Sequence, residues 1–222
     1  MEVAVNYRRY LADLLWSAGG RPRSEHRTLD FGAGVGTYAR TARHLGYQVT
    51  CVELDAELCQ RLVEDDFVSS HSTTDFDDGT FDFAYTLNVL EHIEDHEATL
   101  RELHRVIVPG GRLLVYVPAF PVLFSAMDRK VGHVRRYRRA QLADLVTRAG
   151  FHLDVCEHAD SLGFLASLAF KAIGNSDGTL TEGPVAFYDR WAFPLSRRLD
   201  RITRPAFGKN LVAIATRPLA VP

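Results

Sequence analysis

Asp30-Phe-Gly32-Ala-Gly34-Val-Gly36 is the stretch with the clearest chemical content. Glycines at this spacing allow a tight strand-to-helix turn and let the backbone touch a ligand, so they point to a nucleotide-like cofactor. A dinucleotide fingerprint needs a glycine at position 37, where Thr37 stands instead. Asp30, just before the turn, would repel a pyrophosphate and attract a ligand carrying an amino group. Both features disfavour a nicotinamide-dependent oxidoreductase. Glu53, 21 residues after Gly32, closes the next apolar run, where a carboxylate can accept both hydroxyls of a ribose. Each charged hydrogen bond of that kind is worth roughly 1.5–3 kcal/mol.

Acid–base and anion-binding groups follow. His92 ends the stretch NVLEH, and His96 lies one helical turn further on. An i, i+4 histidine pair can bind metal, but Glu91, Glu94 and Asp95 beside it read as a solvated helix surface, so no metal site is expected. The segment RKVGHVRRYRR carries six Arg or Lys in eleven residues. It reads equally as a recognition element for phosphate or carboxylate and as a solvated loop. Within it, His133 and Tyr137 are suited to accept a proton and to donate a hydrogen bond in an acceptor pocket. Cys51, Cys59 and Cys156 match neither a disulfide framework nor a zinc spacing, and a reducing cytoplasm is the expected setting.

Alternating strands and helices must position these groups. Strands are expected at 27–31, 48–53, 81–86, 113–117, 151–156 and 211–216. One helix follows the glycine turn and ends at Gly46, and a second is capped by Asp55. A third opens at Asp95, presents Leu100, Leu103 and Ile107, and stops at Pro109-Gly110-Gly111. Leu142, Leu145, Val146 and Ala149 mark one face of a fourth. Such alternation implies a parallel sheet with helices on both faces. Two long connections, about 118–139 and 159–208, are expected to cap the carboxyl edge of the sheet, where ligands bind in this architecture. They hold ten aromatic residues, most of them expected in the cap's own core. Residues 162–173 are expected to form a buried helix.

The length of 222 residues suits one domain. Lys plus Arg is 26 and Asp plus Glu 28, a net charge of −2, which speaks against nucleic acid as partner. No apolar run reaches the length of a membrane span, so no stable membrane insertion is expected, and a cytoplasmic protein is.

The stretches "LDFGAGVGTYAR", "VTCVELD", "DDGTFDFAYTLNVLEHIED" and "LHRVIVPGGRLLVYVPA" resemble, in order and spacing, the class I S-adenosylmethionine (SAM)-dependent methyltransferases. "PAFPVLFSAMDRKVGHVRRYRRAQLADLVTRAGF" looks like a type 11/12 subgroup acting on small molecules or on sugar and lipid intermediates. The resemblance implies a Rossmann-like, seven-stranded, mostly parallel α/β sheet in a single domain spanning residues 1–222, with a helical, aromatic cap. It implies SAM as cofactor and S-adenosylhomocysteine as product. Gly32, Gly34 and Gly36 would line the methionine part, Asp30 would face it, and Glu53 would hold the ribose. Leu54 would lie against adenine, and Leu87 and Asn88 would offer backbone contacts. Family members often carry an Asp bonded to adenine at the position where Ser70 stands here. Tyr7, in NYRRY, would fold over the cofactor. His92, His133 and Tyr137 are the expected acceptor-side residues. A small, ring-containing acceptor is the leading reading, and a sugar or polyprenyl-linked intermediate the second. A non-catalytic SAM-binding regulator is the reading from another class. The aromatic-rich cap offers a homodimer contact.

Overall fold

Seven strands form one sheet in a computed structural model that describes residues 4–23, 25–173 and 182–219. They are β1 (Arg27–Phe31), β2 (Gln48–Val52), β3 (Val68–Ser70), β4 (Phe81–Leu87), β5 (Ile107–Pro118), β6 (His152–Ala159) and β7 (Asn210–Thr216), in the order β3-β2-β1-β4-β5-β7-β6. β3, β2, β1, β4 and β5 run parallel, whereas β7 is antiparallel to both β5 and β6. The reversal follows from the path of the chain. β6 leaves the sheet at its carboxyl edge, the chain stays there through the cap, and it can only re-enter running the other way. Asn210, the first residue of β7, therefore pairs with Pro118 and Ala159, the last residues of β5 and β6.

The helices are α1 (Val5–Gly19), α2 (Thr37–His44), α3 (Ala56–Glu64), α4 (His96–Val106), α5 (Ala126–Lys130), α6 (Arg139–Arg148), α7 (Ser161–Ile173), α8 (Glu182–Phe187) and α9 (Phe193–Thr203). Strand alternation sorts them onto two faces. Leu113, Val115 and Val117 of β5 join Leu100 and Leu103 of α4 and Leu142, Leu145 and Val146 of α6. Leu114 and Tyr116 face Tyr10, Leu11 and Leu15 of α1 and Phe193 of α9.

Two sequence expectations shift. The helix expected to stop at Pro109-Gly110-Gly111 ends at Val106, and β5 starts at once, so Ile107 and the Pro-Gly-Gly lie in the strand. The strand 48–53 ends at Val52, which leaves Glu53 outside the ladder.

Buried aspartates fasten the cap. Asp189 accepts hydrogen bonds from the Asn6 and Tyr7 amides (2.9 and 2.8 Å), free donors at the start of α1. Asp200 accepts from the amides of Asp160 and Ser161, both at 2.9 Å, where β6 turns into α7. Asp160 in turn accepts from Gly163 N, Ser196 Oγ and the Tyr188 hydroxyl. The expectation of a buried helix at 162–173 is corrected, since Leu165 and Leu168 of α7 are exposed. Phe187 and Trp191 also face outward rather than filling a cap core. The inner positions are taken by Phe193, between Tyr7 and Tyr10, and by Phe164, which packs on Phe120 and Phe207.

Candidate functional site

The glycine turn closes where β1 ends. The amides of Gly32 and Ala33 donate to Val52 O at 2.8 and 3.2 Å, which joins the turn to β2. Glu53 clasps it from the side: Oε2 accepts from Gly34 N at 2.7 Å, and Oε1 from Asp55 N at 3.1 Å. Two of the glycines differ in what requires them. Both have left-handed backbones, but a Cβ on Gly32 (φ +80°) would also run into the Val89 side chain, whereas one on Gly34 (φ +55°) would meet nothing within 4 Å. Gly32 is demanded by packing as well as by its backbone, and Gly34 opens onto free space. Gly36, at φ +75°, caps α2.

Asp30 lies beneath this turn, only 3% exposed. Burial pushes its carboxyl up to about 7, against a smaller lowering from Tyr85. Neither Asp30 Oδ2 nor the Tyr85 hydroxyl completes a hydrogen bond of good geometry. Leu54, beyond Glu53, is 77% exposed and offers an open apolar surface. Ser70, ending β3, bonds through its hydroxyl to Ser72 O and to the Asp75 carboxylate. An acid thus stands beside Ser70 after all, supplied from five residues further along.

Leu87 is buried at the end of β4, and Asn88 follows at φ +57°, its amide on Tyr116 O at 2.8 Å. Phe120 after β5 and Asp160 after β6 also have left-handed backbones, at φ +59° and +64°. Three non-glycine residues in this costly conformation leave the sheet along the same edge, a concentration typical of functional sites. Tyr7 reaches this edge from α1, its ring edge-on to that of Tyr116 with centroids 6.2 Å apart. Desolvation pushes its pKa up to about 12.

A second group of side chains occupies the exit of β4 and the segment after β5. His92 and His133 pack edge to face, with ring centroids 4.7 Å apart. His133 Nδ1 bonds to Asp128 Oδ1 at 2.8 Å, which leaves Nε2 3.7 Å from Glu91 Oε1. Asp128 also takes two hydrogen bonds from Arg136 (Nε 2.8 Å, Nη2 3.0 Å) and one from Ser125 N at 2.9 Å. Burial pushes the Asp128 carboxyl up, but the bonds from His133 and Arg136 win and hold it well below the usual carboxylate range. Glu91 is wholly buried and both of its carboxylate oxygens lack a hydrogen-bond partner. Desolvation raises it to about 7. Desolvation and the neighbouring His133 lower the pKa of His92.

Other expectations change here. His92 and His96 do not pair, because α4 begins only at His96 and His92 sits in the turn before it. His96 Nδ1 instead meets the Tyr137 hydroxyl and Arg135, each at 2.7 Å. Tyr137 is fully buried and donates to Leu90 O at 3.0 Å, so its hydroxyl is engaged within the protein. Much of the basic segment serves the fold. Arg135 donates to Ile93 O and Glu94 O, Arg136 holds Asp128, and Arg139 donates to Cys156 O. The solvated surface expected at Glu91 is corrected by its complete burial. Sequence reasoning missed Glu91, in a turn, and Asp128, in the five-residue helix α5, both in segments too short for periodicity to mark an inward side chain. A separate hollow of about 320 Å³, lined by Tyr10, Asp13, Glu157 and Arg197, contains none of the glycine-turn residues.

A mostly parallel sheet of this order with an antiparallel β7, a glycine turn after β1 and a carboxylate after β2 defines the class I SAM-dependent methyltransferase fold, whose cofactor is SAM. Residues 4–155 match the methyltransferase domain family, and the chain belongs to it. It is 25% identical over 168 residues to norajmaline N-methyltransferase of Rauvolfia serpentina, covering 70% of this chain and 56% of the relative. It is 32% identical over 99 residues to ubiquinone biosynthesis O-methyltransferase of Xanthomonas oryzae pv. oryzae, covering 40% and 41%. The chain thus spans about half the length of these curated relatives. The structure of Haemonchus contortus phosphoethanolamine N-methyltransferase 2 in complex with S-adenosyl-L-methionine superposes with a TM-score of 0.61. The identity is 17%, over 94% of this chain and 52% of that one. Among the described residues, no helix is long and apolar enough to cross a membrane.

Proposed function

We propose that this chain transfers the methyl group of SAM to an oxygen of a small acceptor, with a ring-bearing hydroxyl compound as the leading class. The observation that carries the reading is His133, tethered to Asp128 through Nδ1 and presenting Nε2 beside Glu91. The cofactor, when bound, supplies a methyl already activated on a sulfonium. What remains for the chain is alignment and exclusion of water.

The residues present fit that cofactor. Gly34 leaves its space open, and the Glu53 carboxylate keeps lone pairs for ribose hydroxyls beyond the two amides it already accepts. The unpartnered Asp30 oxygen suits an ammonium group, and Asp75, bonded to Ser70, suits an exocyclic amine. Leu54 would cover the base, and Leu87 and Asn88 would meet the methionine end. Tyr7, locked to the cap through Asp189, closes the site against water.

A hydroxyl acceptor must shed its proton as it attacks, whereas an amine needs only positioning. Nε2 of His133 is the atom that faces the acceptor, and Asp128 fixes the ring's tautomer and orientation through Nδ1. His92 stays neutral beside it. Tyr137 acts through position, bracing the turn that carries Leu90 and Glu91.

Calorimetry with SAM and S-adenosylhomocysteine, followed by product screening with phenols, hydroxylated heterocycles and amines, tests the reading. Micromolar binding and methylated hydroxyl products are expected. Turnover of amines alone, with His133→Ala unimpaired, would refute oxygen as the target. A lipid-linked acceptor is the second reading. It is favoured by Phe187, Trp191, Leu195 and Ile202, which stand exposed on the cap alongside the exposed Arg198 and Arg201. Turnover that requires vesicles would select it.

A further inference from the structure

We propose that Glu91, His92 and His133 bind one divalent first-row transition-metal ion, of which Zn²⁺ is the model. The inference deepens the reading of this edge as the acceptor side, and it departs from the expectation of no metal. Donor atoms from the three side chains all lie within 4.8 Å of one another. Tetrahedral ligands at zinc bond lengths of roughly 2.0–2.1 Å stand about 3.4 Å apart, and His133 Nε2 already lies 3.7 Å from Glu91 Oε1. That separation is too long for a hydrogen bond and close to what one shared cation demands.

Glu91 supplies the independent observation. A wholly buried carboxylate with both oxygens unpartnered is an anomaly in a folded protein. A proton would leave a hydroxyl facing His133 Nε2 across 3.7 Å, too far for a hydrogen bond, whereas a cation between the two would satisfy the group. The neighbours are those of a metal site as well. The nitrogen of His133 that points away from Glu91 is held by Asp128, and Asp128 is fixed by Arg136 and Ser125. This carboxylate–histidine arrangement orients ligating imidazoles elsewhere. The Nδ1 side of the His92 ring lies against Gly132, which leaves Nε2 for an ion. Two imidazoles and one carboxylate form a set that suits zinc and its neighbours better than magnesium or calcium. Three protein ligands leave at least one position for an acceptor oxygen. With the ion bound, His133 would serve as ligand, and the ion would lower the pKa of the oxygen it holds.

The test uses the whole chain, stripped with a chelator and titrated with Zn²⁺ by calorimetry and with Co²⁺ by visible absorption. One ion per chain is expected, with affinity falling at least tenfold in each of Glu91→Gln, His92→Ala and His133→Ala. Asp128→Asn should weaken it by 10- to 100-fold, and His26→Ala should leave it unchanged. Thermal melts establish that each variant is folded, and Glu91→Gln should melt no lower than wild type. Absence of stoichiometric binding by the folded chain would overturn the inference. So would binding that survives all three ligand substitutions. SAM binding and methyl transfer, measured on the same stripped sample, judge the functional reading separately from the metal.

Discussion

Asp30→Asn should stabilise this protein and impair it at once. An ordinary aspartate ionises near 3.9, and burial moves Asp30 to about 7 in the folded chain. Between roughly pH 4 and pH 7 the folded state therefore holds a proton that the unfolded state has lost. By linkage, stability falls as pH rises through that window and levels off above it. The rise from 3.8 to about 7 corresponds to ~4 kcal/mol at 1.36 kcal/mol per pH unit. Relaxation around the charge reduces this, so we expect about 2–4 kcal/mol from removing it. The amide keeps the shape, and the unpartnered Tyr85 hydroxyl can accept from its NH₂ group. For a chain of this size the gain is roughly 5–15 °C in Tm at pH 8. It should shrink to near zero at pH 4, where both forms are neutral. Scanning calorimetry of wild type and variant across that range reads both quantities. In parallel, SAM affinity should drop at least tenfold in the variant. In the wild type it should rise from pH 6 to 8, because an ionised Asp30 is the form that meets an ammonium. A variant no more stable than wild type at pH 8, or one with the same pH slope, would mean that Asp30 is not protonated in the folded chain.

Glu53→Gln should weaken SAM binding tenfold or more by calorimetry and loosen the turn, since the clasp on Gly34 and Asp55 loses its charge. Gly34→Ala should fold with a penalty of about 1–2 kcal/mol for its left-handed backbone and yet fail to bind SAM. Gly32→Ala should unfold the chain through its clash with Val89, and circular dichroism with calorimetry separates the two. Asp128→Asn should cost about 3–5 kcal/mol at neutral pH by leaving Arg136 without its buried partner. Because the folded carboxyl sits below its unfolded value, this stability is lost as pH falls below roughly 4, and acid titration of both forms shows whether the difference vanishes there. Asp189→Ala should release the first turn of α1 at a cost of about 1–2 kcal/mol, seen as faster hydrogen exchange at Asn6 and Tyr7.

The sequence alone determined the glycine turn, the family and the parallel core of the sheet, because these depend on local rules. Gly34 and Gly36 need left-handed dihedrals, Asp55 caps the helix after it, and single helices between β1, β2, β3, β4 and β5 go with parallel pairing, whereas β7 after the cap runs antiparallel. The contact between Glu53 and the glycine turn was legible for the same reason, since its spacing is set by the lengths of one strand and one turn. Only the tertiary structure decided the opposite side. Glu91 and Asp128 look like surface acids in the chain and become buried partners of histidines that approach across the sheet edge. His92 leaves His96 for His133 because the helix starts four residues later than an i, i+4 pairing assumes. Asp75 reaches Ser70 through a turn that no periodicity announces. The cap's outward Phe187 and Trp191 were hidden for a related reason. Hydrophobicity reports what a residue avoids, while the side it faces depends on how much surface its neighbours can cover.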